Sequence, residues 1–307
     1  MNYHLFTMMW GDHYLKLFER ACFKSLNWPG NLSAIHGSTW NIFTRHEHIA
    51  QLEDLFKDRP FKLNIYPVPD QIAVSGLGLV SRDSCEMGVQ LLHGLRDEVY
   101  RDICSNSKMI FAPPDTIWGE WSVSNLLKMG SQKGTCVAVC HPRVLPSILD
   151  EIDVLGATRG AISNASLVTL SFQHAHDSWK YAEIGHQKCN SYIGGIAWKK
   201  LSPGLFSVTH RLPTVYLADF QSSDFDFYWS QVSFGGWDHR WPAENLIRQE
   251  RMRFVGSSDA VMVSEVTDWD KNVPPNPKMN APKDDSYWNN HYHNSINRQF
   301  NVIMRGE

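Results

Sequence analysis

The residues best placed for chemistry stand in one stretch, Met109-Ile110-Phe111-Ala112-Pro113-Pro114-Asp115-Thr116-Ile117-Trp118-Gly119-Glu120. An apolar strand delivers the Asp115 carboxylate to its carboxyl end, and the Glu120 carboxylate follows beside Trp118 and Trp121. A carboxylate so placed can hold Mg2+ or Mn2+, cations that take oxygen ligands and bridge diphosphates. The alternative role for Asp115 is to cap a following helix. Asp219, Asp224, Asp226, Asp238 and Asp259 are further acids with the capacity of a general base. They are equally ordinary as solvated loop residues, and the sequence does not choose among them. His174-x-His176-Asp177 and His291-x-His293 have ligand types for a transition metal. Residues two apart on a helix point in different directions, so the first pair makes a poor chelate.

Six cysteines, at 22, 85, 104, 136, 140 and 189, form no Cys-x-x-Cys pair. They read as reduced core thiols rather than a disulfide frame or a zinc site. Neither G-x-G-x-x-G nor G-x-x-x-x-G-K-[ST] occurs, and no G-x-S-x-G, so dinucleotide, P-loop and serine-hydrolase readings lack support. With 29 Lys and Arg against 32 Asp and Glu, the net charge of -3 excludes an arm-type polyanion binder and leaves room for a local basic groove. No apolar run is long enough for a transmembrane helix, and no secretory signal is visible at Met1-Asn2-Tyr3-His4. The expectation is a soluble, cytoplasmic protein.

Alternating elements must position these groups. Strands are expected at Leu5 to Met9, Trp40 to Thr44, Phe61 to Val68, Lys108 to Ala112 and Thr135 to Val139. Helical spacing links Tyr14, Leu15, Phe18, Cys22 and Leu26, then Ile49 to Phe56, then Leu91 to Ile103, then Val123 to Met129. That alternation predicts an α/β fold, a mainly parallel sheet with helices on both faces. The second half changes character: a helix over Asn164 to His174, short strands at Thr214 to Leu217, Met252 to Val255 and Ala260 to Val263, and a Pro- and Asn-rich loop from Asn272 to about Asn294. Ligands of open α/β sheets bind beyond the carboxyl ends of strands. Met9-Trp10-Gly11, Thr44-Arg45 and Pro113-Pro114-Asp115 occupy three such ends.

Tyr3 to Leu26 with Pro29-Gly30-Asn31-Leu32, Ile42-Phe43-Thr44, and Phe111 to Glu120 together resemble bacterial and phage glycosyltransferases of the GT-A type. Further echoes are Leu167 to His176, Pro203-Gly204, Thr209-His210-Arg211-Leu212-Pro213, and Val255-Gly256-Ser257-Ser258-Asp259 running on to Glu265. The segment Pro114-Asp115-Thr116-Ile117-Trp118 stands where other members place Asp-x-Asp, and the second acid is missing. The resemblance implies a GT-A-like sheet plus a smaller mixed α+β lobe. It divides the chain into a donor-binding half (1–145), an acceptor-side half (146–271) and a C-terminal lid or tail (272–307). It implies transfer of a sugar from a nucleotide-sugar co-substrate, such as a UDP-sugar, to a hydroxyl. Trp10, Gly11, Tyr14, Thr44, His93, Arg96, Trp118 and Glu120 would bind the donor. Asp115 and Asp259 would be catalytic, and Asp115 with His210 would hold Mn2+ or Mg2+. The acceptor stays open between DNA bearing hydroxymethylated pyrimidines and carbohydrate. Loss of Asp-x-Asp motivates the alternative of a non-catalytic nucleotide- or carbohydrate-binding module.

Overall fold

The computed structural model describes residues 3–9, 11–67, 71–74, 78–81, 106–184, 196–210, 214–221, 224, 246–247, 249–267 and 300–307. β1 (Tyr3–Met8) is buried from Leu5 onward on both faces, as its mainly apolar run, interrupted only by Thr7, requires of a central parallel strand. The chain leaves it through Gly11 into α1 (Asp12–Leu17), which continues as a π-helical stretch (Phe18–Phe23) and a last turn, Lys24–Leu26. Leu15, Phe18, Cys22 and Leu26, spaced three or four apart, form the buried stripe. β2 (Thr39–Thr44) then pairs parallel with β1, and α2 (Ile49–Phe56) leads to β3 (Lys62–Pro67), parallel to β2. Trp40 joins the layers, edge-on to Phe56 at 4.9 Å and to Phe18 at 5.6 Å.

A small hairpin, β4 (Gln71–Val74) with β5 (Gly78–Ser81), precedes β6 (Lys108–Phe111), which lies parallel to β1 on its other side. β7 (Thr116–Trp118) and α3 (Ser122–Met129) follow, then β8 (Cys136–Val139) and β9 (Arg143–Val144). α4 (Ile148–Arg159), α5 (Asn164–Gln173) and the short α6 (Asp177–Lys180) open the second lobe, with Ser163 capping α5 through its hydroxyl. The hairpin β10 (Ile196–Ser202) and β11 (Leu205–His210) is completed by β15 (Phe300–Arg305) in a three-stranded sheet. β12 (Thr214–Ala218), β13 (Met252–Phe254) and β14 (Val263–Val266) return to the first lobe.

The main sheet runs β13-β8-β12-β6-β1-β2-β3. Only β12 is reversed among these seven strands, antiparallel to both β6 and β8. A second sheet, β7-β14-β9, grows from the carboxyl ends of β6 and β8. The protein is therefore a mixed α/β chain with a large, mostly parallel sheet and a smaller α+β lobe, as expected.

Differences lie in the connections. The strand expected over Ala260 to Val263 begins at Val263, because Val261 and Met262 are buried before pairing starts. α4 was not foreseen, since its apolar positions lie scattered around the helix rather than along one face. The end of the expected tail is β15, antiparallel to β11. The stripe over Leu91 to Ile103 and the loop from Asn272 to Asn294 lie outside the described residues. Among the described residues, no helix is long and apolar enough to cross a membrane. Cys22, Cys136 and Cys140 are free and buried. Burial pushes all three thiols up, Cys136 to about 12.

Candidate functional site

The sheet order turns at β1, whose neighbours β2 and β6 lie on opposite sides, so a crevice is expected beyond their carboxyl ends. Gly11 ends β1 with φ 89 and ψ 164, a conformation that glycine adopts without strain. The Arg45 guanidinium lies against this turn, within van der Waals reach of where a Cβ would stand, so the glycine is required by its φ and not by the room Arg45 needs. Thr44, at the end of β2, is fully buried. Its hydroxyl is 3.1 Å from His48 Nδ1, and His48 Nε2 is 3.0 Å from Asp12 Oδ1. With its proton on Nε2, His48 donates to Asp12 and accepts from Thr44. The hydrogen bond from His48 holds the Asp12 carboxyl below its ordinary value. This row ties the end of β2 to the start of α1.

On the other side of β1, Asp115 does not cap a helix. A strand, β7, follows it, and α3 starts only at Ser122. The Thr116 hydroxyl donates to the Pro113 carbonyl at 2.6 Å, and the Asp115 carbonyl accepts from Val266 N at 2.7 Å. The acid is thus fixed from two sides at the carboxyl edge. Its charge reaches the buried Cys22 thiol and Tyr216 phenol. Burial first, then Glu265 and Asp115, hold Tyr216 protonated well above its ordinary range.

Tyr216 belongs to a polar row. Its hydroxyl is 3.2 Å from His141 Nδ1, His141 Nε2 is 2.7 Å from Glu265 Oε2, and Arg143 Nε donates to Glu265 Oε1 at 3.2 Å. The imidazole, carboxylate and guanidinium are each mostly buried, with side chains 12–17% exposed. Cys140-His141-Pro142-Arg143 follows β8 directly, and Glu265 N bonds to the Pro142 carbonyl at 2.9 Å. Asp115, Tyr216, His141, Glu265 and Arg143 therefore meet where β6 and β8 pass into the second sheet. A phenol, an imidazole and two carboxylates in partial burial can position a proton, and the guanidinium offsets the negative charge.

The remaining expected residues are dispersed. Trp118 is fully buried, its Nε1 donating to Thr116 Oγ1 at 3.0 Å and its ring edge-on to Tyr216 at 5.3 Å. It therefore supports the row from behind. Tyr14 is half-buried on α1, with His13 edge-on at 5.4 Å. Glu120 and Asp259 come together elsewhere, on a depression of about 440 Å3 at the starts of α3 and α5. His210 ends β11, and its side chain lies outside the described residues, as do Trp10, His93 and Arg96. His174 bonds to Ser147 and His176 to Ser178, so the two do not share a ligand position. Among the described residues, no three His, Cys, Asp or Glu side chains stand together as a metal cage.

Sequence reasoning missed His141, Arg143, Tyr216 and Glu265. The first two had a readable signal: like Asp115, they follow an apolar strand directly. Tyr216 and Glu265 had none, since only the reversed β12 and the second sheet bring them there.

Fold and site together define a mainly parallel α/β protein with one reversed strand and a polar, titratable carboxyl edge. No protein-family model and no curated protein matches the sequence. Among solved structures, residues 1–349 of Staphylococcus aureus TarS are similar at TM-score 0.29 and 6% identity, over 47% of this chain and 36% of that one. Mouse xyloside xylosyltransferase 1 in its apo form is similar at TM-score 0.30 and 9% identity, over 48% and 54%. A Bacillus anthracis protein described as a glucose-1-phosphate thymidylyltransferase gives 0.27 and 13%, over 48% and 56%. The chain thus spans little more than half, or less, of the proteins it resembles.

Proposed function

We propose that this chain is a nucleotide-sugar-dependent glycosyltransferase of GT-A-like build. The observation that carries the reading is the convergence of Asp115 with the Tyr216–His141–Glu265–Arg143 row at the carboxyl edge of β6 and β8. The strand order supports it. Numbered within the main sheet, it reads 3-2-1-4-6-5-7 with the sixth strand reversed, so the order turns at the first strand, where ligands of open α/β sheets bind.

In this reading the nucleotide lies over Gly11 and the Thr44 end of β2, with Trp10, Tyr14, His93 and Arg96 as further donor contacts. Arg45 faces the diphosphate, and Asp115 faces the sugar–diphosphate junction. The bond from the anomeric carbon to the leaving diphosphate breaks as a bond to the acceptor oxygen forms. The acceptor's proton passes to a base, a carboxylate of the polar row. Asp259, the base expected from the sequence, stands with Glu120 at the starts of α3 and α5, away from this edge, and is not given that role. Trp118 acts by positioning Tyr216. Asp115 also suits Mg2+ or Mn2+, which take one or two carboxylates and complete their shell from phosphates and water. His210 is the proposed second ligand. Such a cation would supply charge stabilisation for the leaving diphosphate.

Calorimetric titration of UDP-, GDP- and CMP-sugars, with and without Mn2+, tests the reading; no binding across the panel would overturn it. The acceptor is a hydroxyl of carbohydrate or of a hydroxymethylated pyrimidine in DNA. Binding to plain and hydroxymethylated duplexes over a salt series separates these, because phosphate tracking makes duplex binding steeply salt-dependent. One observation favours the second reading, a binding module without turnover. Thr116 and Ile117, where another acid would stand, are both buried strand residues. Donor binding with neither transfer nor slow donor hydrolysis would decide for the module.

A further inference from the structure

We infer that the depression at the starts of α3 and α5 is a binding site for a neutral saccharide, separate from the donor cleft. It holds about 440 Å3 and is lined by Glu120, Trp121, Asn125, Lys128, Asn164 and Asp259, among others. Its floor is an aromatic platform. Trp121 has φ 63, a left-handed conformation rare for a bulky residue, and is 53% exposed.

Neighbouring residues force this pose. Trp121 N donates to the Pro29 carbonyl at 2.8 Å, and Ser124 N to the Gly30 carbonyl at 3.0 Å. The Asn31 side chain donates to the Gly119 carbonyl at 3.1 Å and accepts from Val123 N at 3.0 Å. Gly30 has no Cβ, and one there would overlap the indole ring and stand 2.7 Å from the Trp121 Cα. The Pro29-Gly30-Asn31 turn thus clamps the indole against bare backbone on one side and leaves about half of the residue in water.

The polar groups decide the ligand class. The Glu120 carboxylate and the Trp121 indole N–H make no hydrogen bond or ion pair among the described residues. Asp259 is shared with Ser257 and Arg305, and Lys128 lies 3.5 Å from Asn125 Oδ1. Glu120 and Asp259 are balanced by Lys128 and by Arg305, which pairs with Asp259, so the rim carries no net charge and suits a neutral ligand better than an ion. The first α3 N–H groups, of Ser122, Val123 and Ser124, are already bonded to Gly119, Asn31 and Gly30, so they offer a phosphate little. The Asn125 and Asn164 amides are spent on the Ala260 and Asp259 carbonyls, so the groups left for a ligand are the indole, the Glu120 carboxylate and the Lys128 ammonium. An aromatic surface with an acceptor and a donor beside it fits a pyranose ring, whose C–H face stacks while its hydroxyls both donate and accept. Asp115 and Glu120 are five residues apart, so their Cα atoms are at most about 18 Å from each other.

This site does not depend on the transfer reading, and its test needs no turnover. Saturation-transfer NMR on the full chain would use maltotriose, cellotriose, chitotriose and xylotriose, with inorganic phosphate as the anionic probe. We expect at least one trisaccharide to be saturated by the wild type. Trp121→Ala should weaken it about tenfold or more, and Ala165→Arg, which fills the depression, should abolish it. Nucleotide-sugar affinity should be unchanged in both variants. Absence of saturation for all four sugars, equal binding by a folded Trp121→Ala or Ala165→Arg protein, or displacement of the sugar by phosphate would each overturn the inference. Absence of nucleotide-sugar binding by the wild type would overturn the transfer reading and leave this one standing. Its loss only in Trp121→Ala or Ala165→Arg would show that the two sites are not separate and overturn this inference.

Discussion

Replacing Asp115 by Asn separates the structural from the chemical role of this residue. The turn that holds it is made of main-chain and Thr116 bonds: Thr116 to the Pro113 carbonyl, and Val266 N to the Asp115 carbonyl. Neither involves the Asp115 carboxylate, and Asn has the same shape. The charge itself shares its surroundings with Glu265, since both raise the Tyr216 phenol. Removing one of two like charges relieves repulsion as well as removing favourable contacts. The net change in stability is therefore expected within about 1 kcal/mol. Against a typical total of about 5–15 kcal/mol, the variant stays more than about 99% folded. Its activity should behave differently. Loss of a preorganised electrostatic group typically costs about 100- to 1000-fold in turnover, or about 2.7–4 kcal/mol of transition-state stabilisation. Urea unfolding would measure the first quantity, and release of nucleoside diphosphate from the bound donor the second. Ultraviolet titration against a Tyr216→Phe reference supplies a check free of catalysis, because the phenol should ionise at lower pH once Asp115 is neutral. Undiminished release by the Asn variant would refute the assignment of Asp115. An unmoved Tyr216 titration would refute the geometry behind it.

Three further outcomes follow from the contacts. Glu265→Gln removes the charge that pairs with Arg143 and, with its amide oxygen kept on Arg143, retains the His141 bond only if the imidazole moves its proton to Nδ1. Urea unfolding should therefore show a loss of about 1–3 kcal/mol; no change would mean the row is not formed in solution. Gly30→Ala meets the Trp121 ring at a left-handed φ of 74, and overpacking plus backbone strain should cost about 2–4 kcal/mol by the same measurement. Asp12 is depressed by its bond to His48, so its contribution is present above the unfolded carboxyl value and lost as pH falls through the folded one. The melting-temperature advantage of wild type over Asp12→Asn should therefore be full near pH 6 and fade below about pH 4; an advantage that persists at pH 2 would contradict the Asp12–His48 pairing.

The sheet was largely legible because its strands announce themselves one at a time. Leu5 to Met8, Ile42 to Thr44 and Val137 to Val139 are mainly apolar without a polar–apolar alternation, the pattern of strands buried on both faces, with Thr7 and Thr44 buried among the apolar residues. Asp115 was legible for the same reason: it ends such a strand. What stayed hidden was long-range. Tyr216 and Glu265 lie 75 and 124 residues beyond His141, and no local spacing relates them. Trp118 drew a functional expectation through its type alone, whereas its neighbours in β14 bury it completely. Thr44 shows a subtler limit. Its place at a strand end is visible in the sequence, but the His48–Asp12 row that engages its hydroxyl depends on α1 starting beside β2.

The second sheet explains why this edge is suited to chemistry. Loops beyond parallel strands are usually the mobile part of an α/β protein. Here the segments leaving β6 and β8 pass almost at once into β7 and β9, and β14 pairs with both. Glu265 sits in the middle strand, opposite Thr116 on one side and Arg143 on the other. A single strand therefore sets the spacing between the residue after Asp115 and the partner of Arg143. Burying a carboxylate, an imidazole and a phenol together is unfavourable unless each has a partner. The row meets that requirement with one bond per contact, so displacing any member leaves another unsatisfied. Rigid positioning and intolerance to substitution are thus two consequences of the same packing, and both should be concentrated in β14 rather than in the loops around it.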